Sequence, residues 1–224
     1  MVSIILPVYN EEKKLIEHTK WLKDCFRQAE LIFVDGGSID RSIEIARQYG
    51  RVLQSGKGRA IQMNFGAKQA KNDILLFLHA DNIVSPESLE NIEKEIQQDG
   101  VMGGCLTQRI DKKGLIFRLI EMQGNIRARM TRVFYGDQGI FVRKDIFFHL
   151  GGFPDVSIFE DVLFSRKLRR EGKTVVLLDK IMASPRRWEK RGIIKTMIMF
   201  STLLAMFKMG FPLERIKALY EDLR

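Results

Sequence analysis

In ILLFLHADN (74–82) an apolar run ends in His79 and Asp81, two residues apart. Asp81 can ligate Mg2+ or Mn2+, which take oxygen donors and often bridge substrate phosphates with only one or two protein carboxylates. An imidazole at 79 suits Mn2+ better than Mg2+. Strand alternation would put 79 and 81 on one side. Read alone, the stretch is also a capping aspartate beside a core histidine. In LIFVDGGS, Asp35 stands before Gly36 and Gly37. A carboxylate at a strand's carboxyl end can accept from a base edge or a ribose, and glycines let a ligand approach the backbone. The same residues also make an ordinary helix-capping turn. Glu160 and Asp161 open a helical pattern, where the helix dipole stabilises carboxylates and where a base for a sugar hydroxyl could sit at a pocket rim. Arg187 and Trp188 follow the last strand in an expected loop; Arg grips phosphate bidentately and Trp stacks on rings.

SGKGRAIQMNFG (55–66) looks like a phosphate loop but fails two tests. Arg51 occupies the first glycine position of G-x-x-x-x-G-K-[ST], and Ile61 the third of G-x-G-x-x-G, which disfavours P-loop and dinucleotide-binding enzymes. Lys57, Arg59 and the following helix N-terminus still make an anion site or, equally, a basic loop.

Strands and helices must position these residues. VSIILPV (2–8), LIFVDGGS, RVLQS and DILLFLHA read as buried strands. They alternate with helices over 11–29, from Ser38 or Asp40 to Tyr49, over 59–72, and from Ser85-Pro86 to Gln98. This order predicts an α/β fold, an open, mostly parallel sheet with helices on both faces, and ligands beyond the strands' carboxyl ends. Further on, GGCLTQRI, QGIFVR and KTVVLLD read as strands. Helices are expected over 115–133, from about 160, over 192–208 and over 212–223. The apolar run Thr196–Phe207 is shorter than the roughly 20 residues a membrane-spanning helix needs. It is a core helix, a dimer contact or an interfacial helix.

Of the net charge of +9, residues 1–112 hold 15 basic against 16 acidic residues and residues 113–224 hold 22 against 12. The basic half should face phosphates or an anionic membrane. No nucleic-acid recognition signature accompanies it, so no nucleic acid partner is expected. Cys25 and Cys105 lack paired spacing, which fits a reducing cytoplasm. The start, MVSIILPVYN, lacks the basic region of a signal peptide.

Together, DGGS-D, GR--QMN-GA, LLFLHAD, GDQ-IFVR, GGFP, ED--FSR-L and RRWE-RG resemble the family-2 glycosyltransferases of GT-A fold, in a small soluble bacterial branch. The resemblance runs from Ile4 to about Tyr220. It implies that Pro7, Tyr9 and Glu11 line a nucleotide pocket and that Asp35 binds uracil or ribose. Gly58, Arg59 and Asn64 would lie near base and diphosphate. Asp81 would be the metal ligand and last acid of a DxD-type motif, with His79 in place of the first acid and a second candidate ligand. Asp161 would be the general base supported by Glu160. Arg187 and Trp188 would contact diphosphate or acceptor, and Gly136, Asp137 and Gln138 would face the acceptor.

The implied activity is inverting transfer from a UDP-sugar to an unidentified, lipid-like acceptor hydroxyl, with Mn2+ or Mg2+. The implied layout is one domain: 1–100 for the nucleotide sugar, 101–190 for acceptor and catalysis, and 191–224 as a helical appendage. The implied setting is cytoplasmic, with peripheral contact at the inner membrane face, and a homodimer is compatible. Two alternatives stand: a degenerate, non-catalytic membrane-surface protein, and a sugar nucleotidyltransferase. The latter should carry a glycine-rich N-terminal loop, which PVYNEEKK lacks.

Overall fold

The computed structural model describes residues 1–26 and 28–222, without the side chains of Phe26, Arg187, Lys190, Glu221 and Asp222. The first half runs β1 (Val2–Val8), α1 (Glu12–Glu17), α2 (Thr19–Phe26), β2 (Ala29–Asp35), α3 (Ser42–Ala46), β3 (Arg51–Gln54), α4 (Arg59–Gln69) and β4 (Ile74–Phe77). Then come β5 (Asn82–Val84), α5 (Pro86–Ile96), β6 (Val101–Ile110), α6 (Leu115–Thr131), a 3-10 turn (Gly136–Gln138), β7 (Ile140–Arg143) and α7 (Lys144–His149). The chain closes with α8 (Glu160–Glu171), β8 (Lys173–Ala183), α9 (Arg186–Arg191), α10 (Ile193–Lys208) and α11 (Leu213–Asp222).

The eight strands form one sheet in the order β3-β2-β1-β4-β7-β6-β8-β5. Pairing is parallel from β3 to β4 and between β6 and β8. It is antiparallel on both sides of β7 and between β8 and β5. The sheet is therefore mixed, parallel in its first half and broken by β7. Its order also demands curvature. From Phe77 to Asn82 the chain has five links, which reach at most about 18 Å. Four strand spacings of a flat sheet already need about 19 Å. This link also folds back, Asn82 N–H donating to the His79 carbonyl at 3.0 Å. The sheet must curl so that the end of β8 comes beside the end of β4.

Alternation along the strands sorts the core into two layers. Ile4, Leu6, Leu31, Phe33 and Leu76 pack on the side of α1, α2, α3 and α5. Ile5, Ile32, Val34, Leu75 and Phe77 pack on the side of α4, α7 and α8. In the second layer Phe77, Phe153 and Phe164 surround Phe147, with ring centroids 5.0–5.4 Å from it. A third, smaller cluster joins Ile158 to Met199, Leu203 and Ile216 of α10 and α11. The apolar run of α10 thus covers the approach to α8. No helix among the described residues is long and apolar enough to cross a membrane.

Several local expectations change. The helix expected over 11–29 breaks at His18, whose Nδ1 lies 3.1 Å from the Ala80 carbonyl, a long-range contact that competes with helix continuation. Ser38 does not cap α3, since its hydroxyl accepts from Asn10 N–H; Asp40 accepts from the N–H of Ser42, the first residue of α3, and from Glu12 N–H, with Arg41 at the N-cap position. The segment holding Trp188 is a helix, α9, and not a loop: Pro185 already has helical φ and ψ at its N-cap. Leu223, the expected end of the last helix, lies outside the described residues.

Gly66 sits where α4 crosses the sheet. A Cβ there would lie 2.6 Å from Ile5 Cγ2 and 2.9 Å from Val34 Cγ2. Alanine in a helix gains up to about 1 kcal/mol over glycine, but overpacking a tight core loses about 1–3 kcal/mol. The clash outweighs the propensity. Gly66→Ala is expected to lower the unfolding free energy by about 1–2 kcal/mol, measured by urea denaturation.

Candidate active site

The carboxyl ends of β1 and β2 are stitched by side chains that bond backbone. Asn10 N–H donates to Ser38 Oγ at 2.9 Å, and Asn10 Oδ1 accepts from Ile39 N–H at 2.9 Å. Glu11 N–H donates to Ser42 Oγ at 2.8 Å. Asp35, 1% exposed, accepts from Gly37 N–H at 2.9 Å and from Ser38 N–H at 3.1 Å. Its carboxylate therefore shapes the Gly-Gly turn. Gln62 of α4 is buried and donates to the Val8 and Val34 carbonyls at 2.9 and 2.7 Å, tying the two strand ends together. Pro7 is buried within β1, opposite Val34, and lines no open surface; the strand continues through it because its neighbours are core residues. Tyr9 is exposed, and Lys57 Nζ sits 3.9 Å from its ring centroid. Gly58, the N-cap of α4, brings Lys57 to this position.

His79 and Asp81 do not share a strand face. β4 ends at Phe77 and both residues lie in the turn that leads to β5. His79 lines a small cavity with Gly136, Phe153, Glu160 and Asp161. Asp81 is not part of that cavity and acts instead on Glu11. Burial raises the Glu11 carboxyl above its ordinary range, the Asp81 charge raises it further, and Arg186 opposes the rise. Divalent cations that use oxygen donors need few protein carboxylates when phosphates supply the rest. The Glu11–Asp81 pair fits that pattern. Among the described residues no group of three His, Cys, Asp or Glu side chains could hold a metal unaided.

Asp161 begins α8 after Phe159, whose φ of 65° and ψ of 23° put a bulky residue in the left-handed region. The Phe159 ring is 4.7 Å from that of Phe207, so α10 helps to hold this strained corner. Asp161 Oδ2 accepts from Gly136 N–H at 2.6 Å and Oδ1 from Val162 N–H at 2.7 Å. The carboxyl is pushed up to about 6, first by desolvation and then by the adjacent Glu160 charge, against the pull of Arg59 and the two backbone donors. Its residue remains partly exposed. Glu160 is buried, and Arg59 Nε lies 3.2 Å from its Oε1. Only glycine fits at 136, since a Cβ would stand 2.6 Å from His79 Nε2 and 3.3 Å from Asp161 Oδ2.

The turn carrying Gly136 is held from behind. Gln138, 1% exposed, accepts from Tyr135 N–H at 3.1 Å and from Arg127 Nη2 at 2.9 Å. The Arg127 guanidinium also stacks 3.4 Å from the Tyr135 ring centroid. Asp137 Oδ2 accepts from Gln108 at 2.7 Å, and its carbonyl from Asn82 at 3.2 Å. Asp137 Oδ1 and Gln138 Nε2 are buried without a hydrogen-bond partner among the described residues. The side chains of Asp137 and Gln138 thus turn inward, contrary to the expectation that they face an acceptor; only Gly136 fronts the cavity.

Two further expected residues find other partners. Asn64 clamps both backbone groups of Phe153, at 2.8 and 2.9 Å, because the Gly151-Gly152 turn brings that residue over α4. Trp188 packs 6.5 Å from the Phe200 ring across α9 and α10. The side chain of Arg187 lies outside the described residues. Gln62, Gln108 and Arg127 were missed in the sequence, where a buried amide or a stacked guanidinium leaves no periodic mark. A wider cleft of about 600 Å3, lined by His18, Trp21, Asp24, Val84 and Asp179, contains none of the expected site residues.

Residues 3–153 match the family model described as glycosyl transferase family 2. EpsJ of Bacillus subtilis, an uncharacterized glycosyltransferase, is 27% identical over 80% of this chain and 59% of its own length. An undecaprenyl-phosphate 4-deoxy-4-formamido-L-arabinose transferase of Photorhabdus laumondii is 30% identical over 63% of this chain and 48% of its own. The chain spans about half the length of the curated relatives it matches. Two solved structures share its fold, each with TM-score 0.64 at 19% identity. The mannosyltransferase PcManGT of Pyrobaculum calidifontis, in complex with GDP-Man and Mn2+, is matched over 81% of this chain and 56% of its own. TarS 1–349 of S. aureus, in complex with UDP-GlcNAc, is matched over 82% and 58%. The fold is that of the GT-A glycosyltransferases, and by the match over more than half its length the chain belongs to glycosyl transferase family 2.

Proposed function

We propose that this chain is the catalytic unit of an inverting glycosyltransferase that moves a sugar from a nucleoside diphosphate sugar, taken as a UDP-sugar, to an acceptor hydroxyl. The observation that carries the reading is the Asp161 carboxylate: partly exposed, fixed by two backbone N–H groups, and raised to about 6. A base tuned near the working pH is the form that proton abstraction from a hydroxyl needs. TarS bound to UDP-GlcNAc and PcManGT bound to GDP-Man support a nucleotide-sugar donor. The undecaprenyl-phosphate transferase among the relatives supports a lipid-linked acceptor.

In this reading Asp161 takes the acceptor proton as the oxygen attacks the anomeric carbon from the face opposite the diphosphate. The bond to the diphosphate breaks, the nucleoside diphosphate leaves, and the single displacement inverts the centre. Glu160 keeps Asp161 basic, and Arg59 neutralises Glu160 from the other side. His79, beside Gly136 and Asp161, borders the acceptor cavity. Tyr9 with Lys57 offers an aromatic and cationic edge to the nucleotide. Asp81, with Glu11 nearby, would hold Mn2+ or Mg2+ against the diphosphate oxygens. When bound, that ion would neutralise charge on the leaving group.

Asp161→Asn should lower transfer by about 10²–10⁴-fold while UDP binding by calorimetry persists; undiminished turnover would remove the base assignment. Because Asp161 is raised to about 6, it is protonated below that pH and kcat/KM should fall as pH drops through about 6. Glu160→Gln removes a charge that raises Asp161, so the acidic limb of the profile should move to lower pH. An unchanged limb would show that another group sets it. Asp81→Asn should abolish the gain in UDP affinity that Mn2+ confers, with affinity in EDTA changed by less than about threefold, since only the metal-held phosphate contact is lost.

A further inference from the structure

The acceptor-side turn is held by α6, and the two faces of that helix differ sharply. Phe117, Glu121 and Ala128 are buried. On this side Asn125 exchanges hydrogen bonds with the Gln108 backbone at 2.9 Å, and Arg127 grips Gln138. Outward, the helix presents Leu115 (80% exposed), Leu119 (47%), Met122 (52%), Ile126 (48%) and Met130 (80%), with Ile116 at 41%. Spacings of four, three, four and four residues keep these side chains within one stripe about 100° wide. Gln123, Arg129 and Thr131 are the polar residues of the exposed face, and no carboxylate lies on it. The one acid of α6, Glu121, is turned inward and bonded to Arg118 and the Ile110 N–H.

The charges at the rim are predominantly basic, with Asp111 the one acid beside the helix start. Lys112 and Lys113 precede the helix, Arg129 lies in its last turn and Arg132 follows it. Among the described residues Lys113, Arg129 and Arg132 make no ion pair, whereas Lys112 pairs with Glu189 of α9. An exposed stripe of large apolar side chains signals an interaction surface, since single exposed residues need no partner but a contiguous row does. A protein partner would need carboxylates placed at both ends of an apolar groove, whereas an anionic bilayer presents apolar chains under anionic groups everywhere. The unpaired cations at both ends are complemented by an anionic surface, and a helix with an apolar stripe edged by Lys and Arg is the form that lies in a bilayer interface.

We propose that α6 docks in the surface of an anionic lipid bilayer, its stripe sunk among the acyl chains and its terminal cations against the lipid phosphates. This assigns the primary membrane contact to α6; α10, which also exposes Ile194 and Ile198, packs Met199 and Leu203 against Ile158 and Ile216. The buried face of α6 positions Gly136, so the same docking holds the Asp161 cavity at the height of the headgroups, where an amphiphilic acceptor presents its polar end.

Co-sedimentation of the full chain with vesicles tests this without any turnover. Vesicles of phosphatidylcholine with phosphatidylglycerol should bind it, phosphatidylcholine alone far less, and rising salt should release it. Leu119→Gln, Met122→Gln and Ile126→Gln combined should weaken partitioning by about tenfold or more, with the thermal transition retained. Lys113→Glu with Arg129→Glu leaves the stripe intact and should remove the preference for phosphatidylglycerol. This pair of changes keeps the test valid if the triple variant does not fold. No binding to phosphatidylglycerol vesicles, or binding by both variants as strong as that of the unsubstituted chain, overturns the proposal. So does a dimer, seen by light scattering, that the triple variant dissolves, because the stripe would then be covered by a second copy.

Discussion

The hydrogen bond from Gly136 N–H to Asp161 is the junction on which the rest of the site depends. It joins the turn before β7 to the first residues of α8, and His79 at the end of β4 closes on the same glycine. Three separate parts of the chain therefore meet at one backbone amide. The bond also acts on charge. A backbone donor favours the ionised carboxylate while desolvation and Glu160 oppose it. The balance leaves an acid able to change protonation near neutral pH, an outcome that neither burial nor hydrogen bonding would produce alone.

Around this junction, charged groups are divided by location. Glu11 and Asp81 stand together at the end of β1 and in the turn after β4, with Arg186 close enough to oppose them. Glu160 and Asp161 stand at the start of α8 with Arg59 as counter-ion. Two pairs of acids, each with an arginine, are thus held on separate elements of one curled sheet. In the proposed transfer this separation would let one pair meet the leaving diphosphate and the other an incoming hydroxyl without sharing a charge.

Much of the architecture was legible because it rests on apolar periodicity. The strands at 2–8 and at LIFVD, which the structure extends back to Ala29, and the helix opened by Ser85 and Pro86 came from local patterns that tertiary contacts merely repeat. Errors arose where distant contacts won. The chain bends at His18, whose ring reaches the Ala80 carbonyl, and β7 runs antiparallel to both of its neighbours. Glu160 and Asp161 were expected at a helix start, and they open α8. Asn64 and Gln138 were read as ligand-facing, yet they bond Phe153 and Arg127. A polar residue in a motif has the same letter whether it holds a ligand or holds the loop that does.

The curl of the sheet has a consequence for how the site is assembled in time. Asp81 lies in the short link between β4 and β5, and β5 pairs with Asn82 against Ala183 and Val84 against Ile181 at the very end of β8. No strand of the first hundred residues can serve as that partner. During synthesis the first half would emerge with this turn held by side chains alone, the His18 ring on the Ala80 carbonyl and the Trp21 indole on the Val84 carbonyl, and β5 would gain its strand partner only when residues near 183 arrive. The proposed division into a nucleotide half and an acceptor half would therefore be one of chemistry and not of independent parts: the strand that follows Asp81 waits for the last strand in the chain, β8.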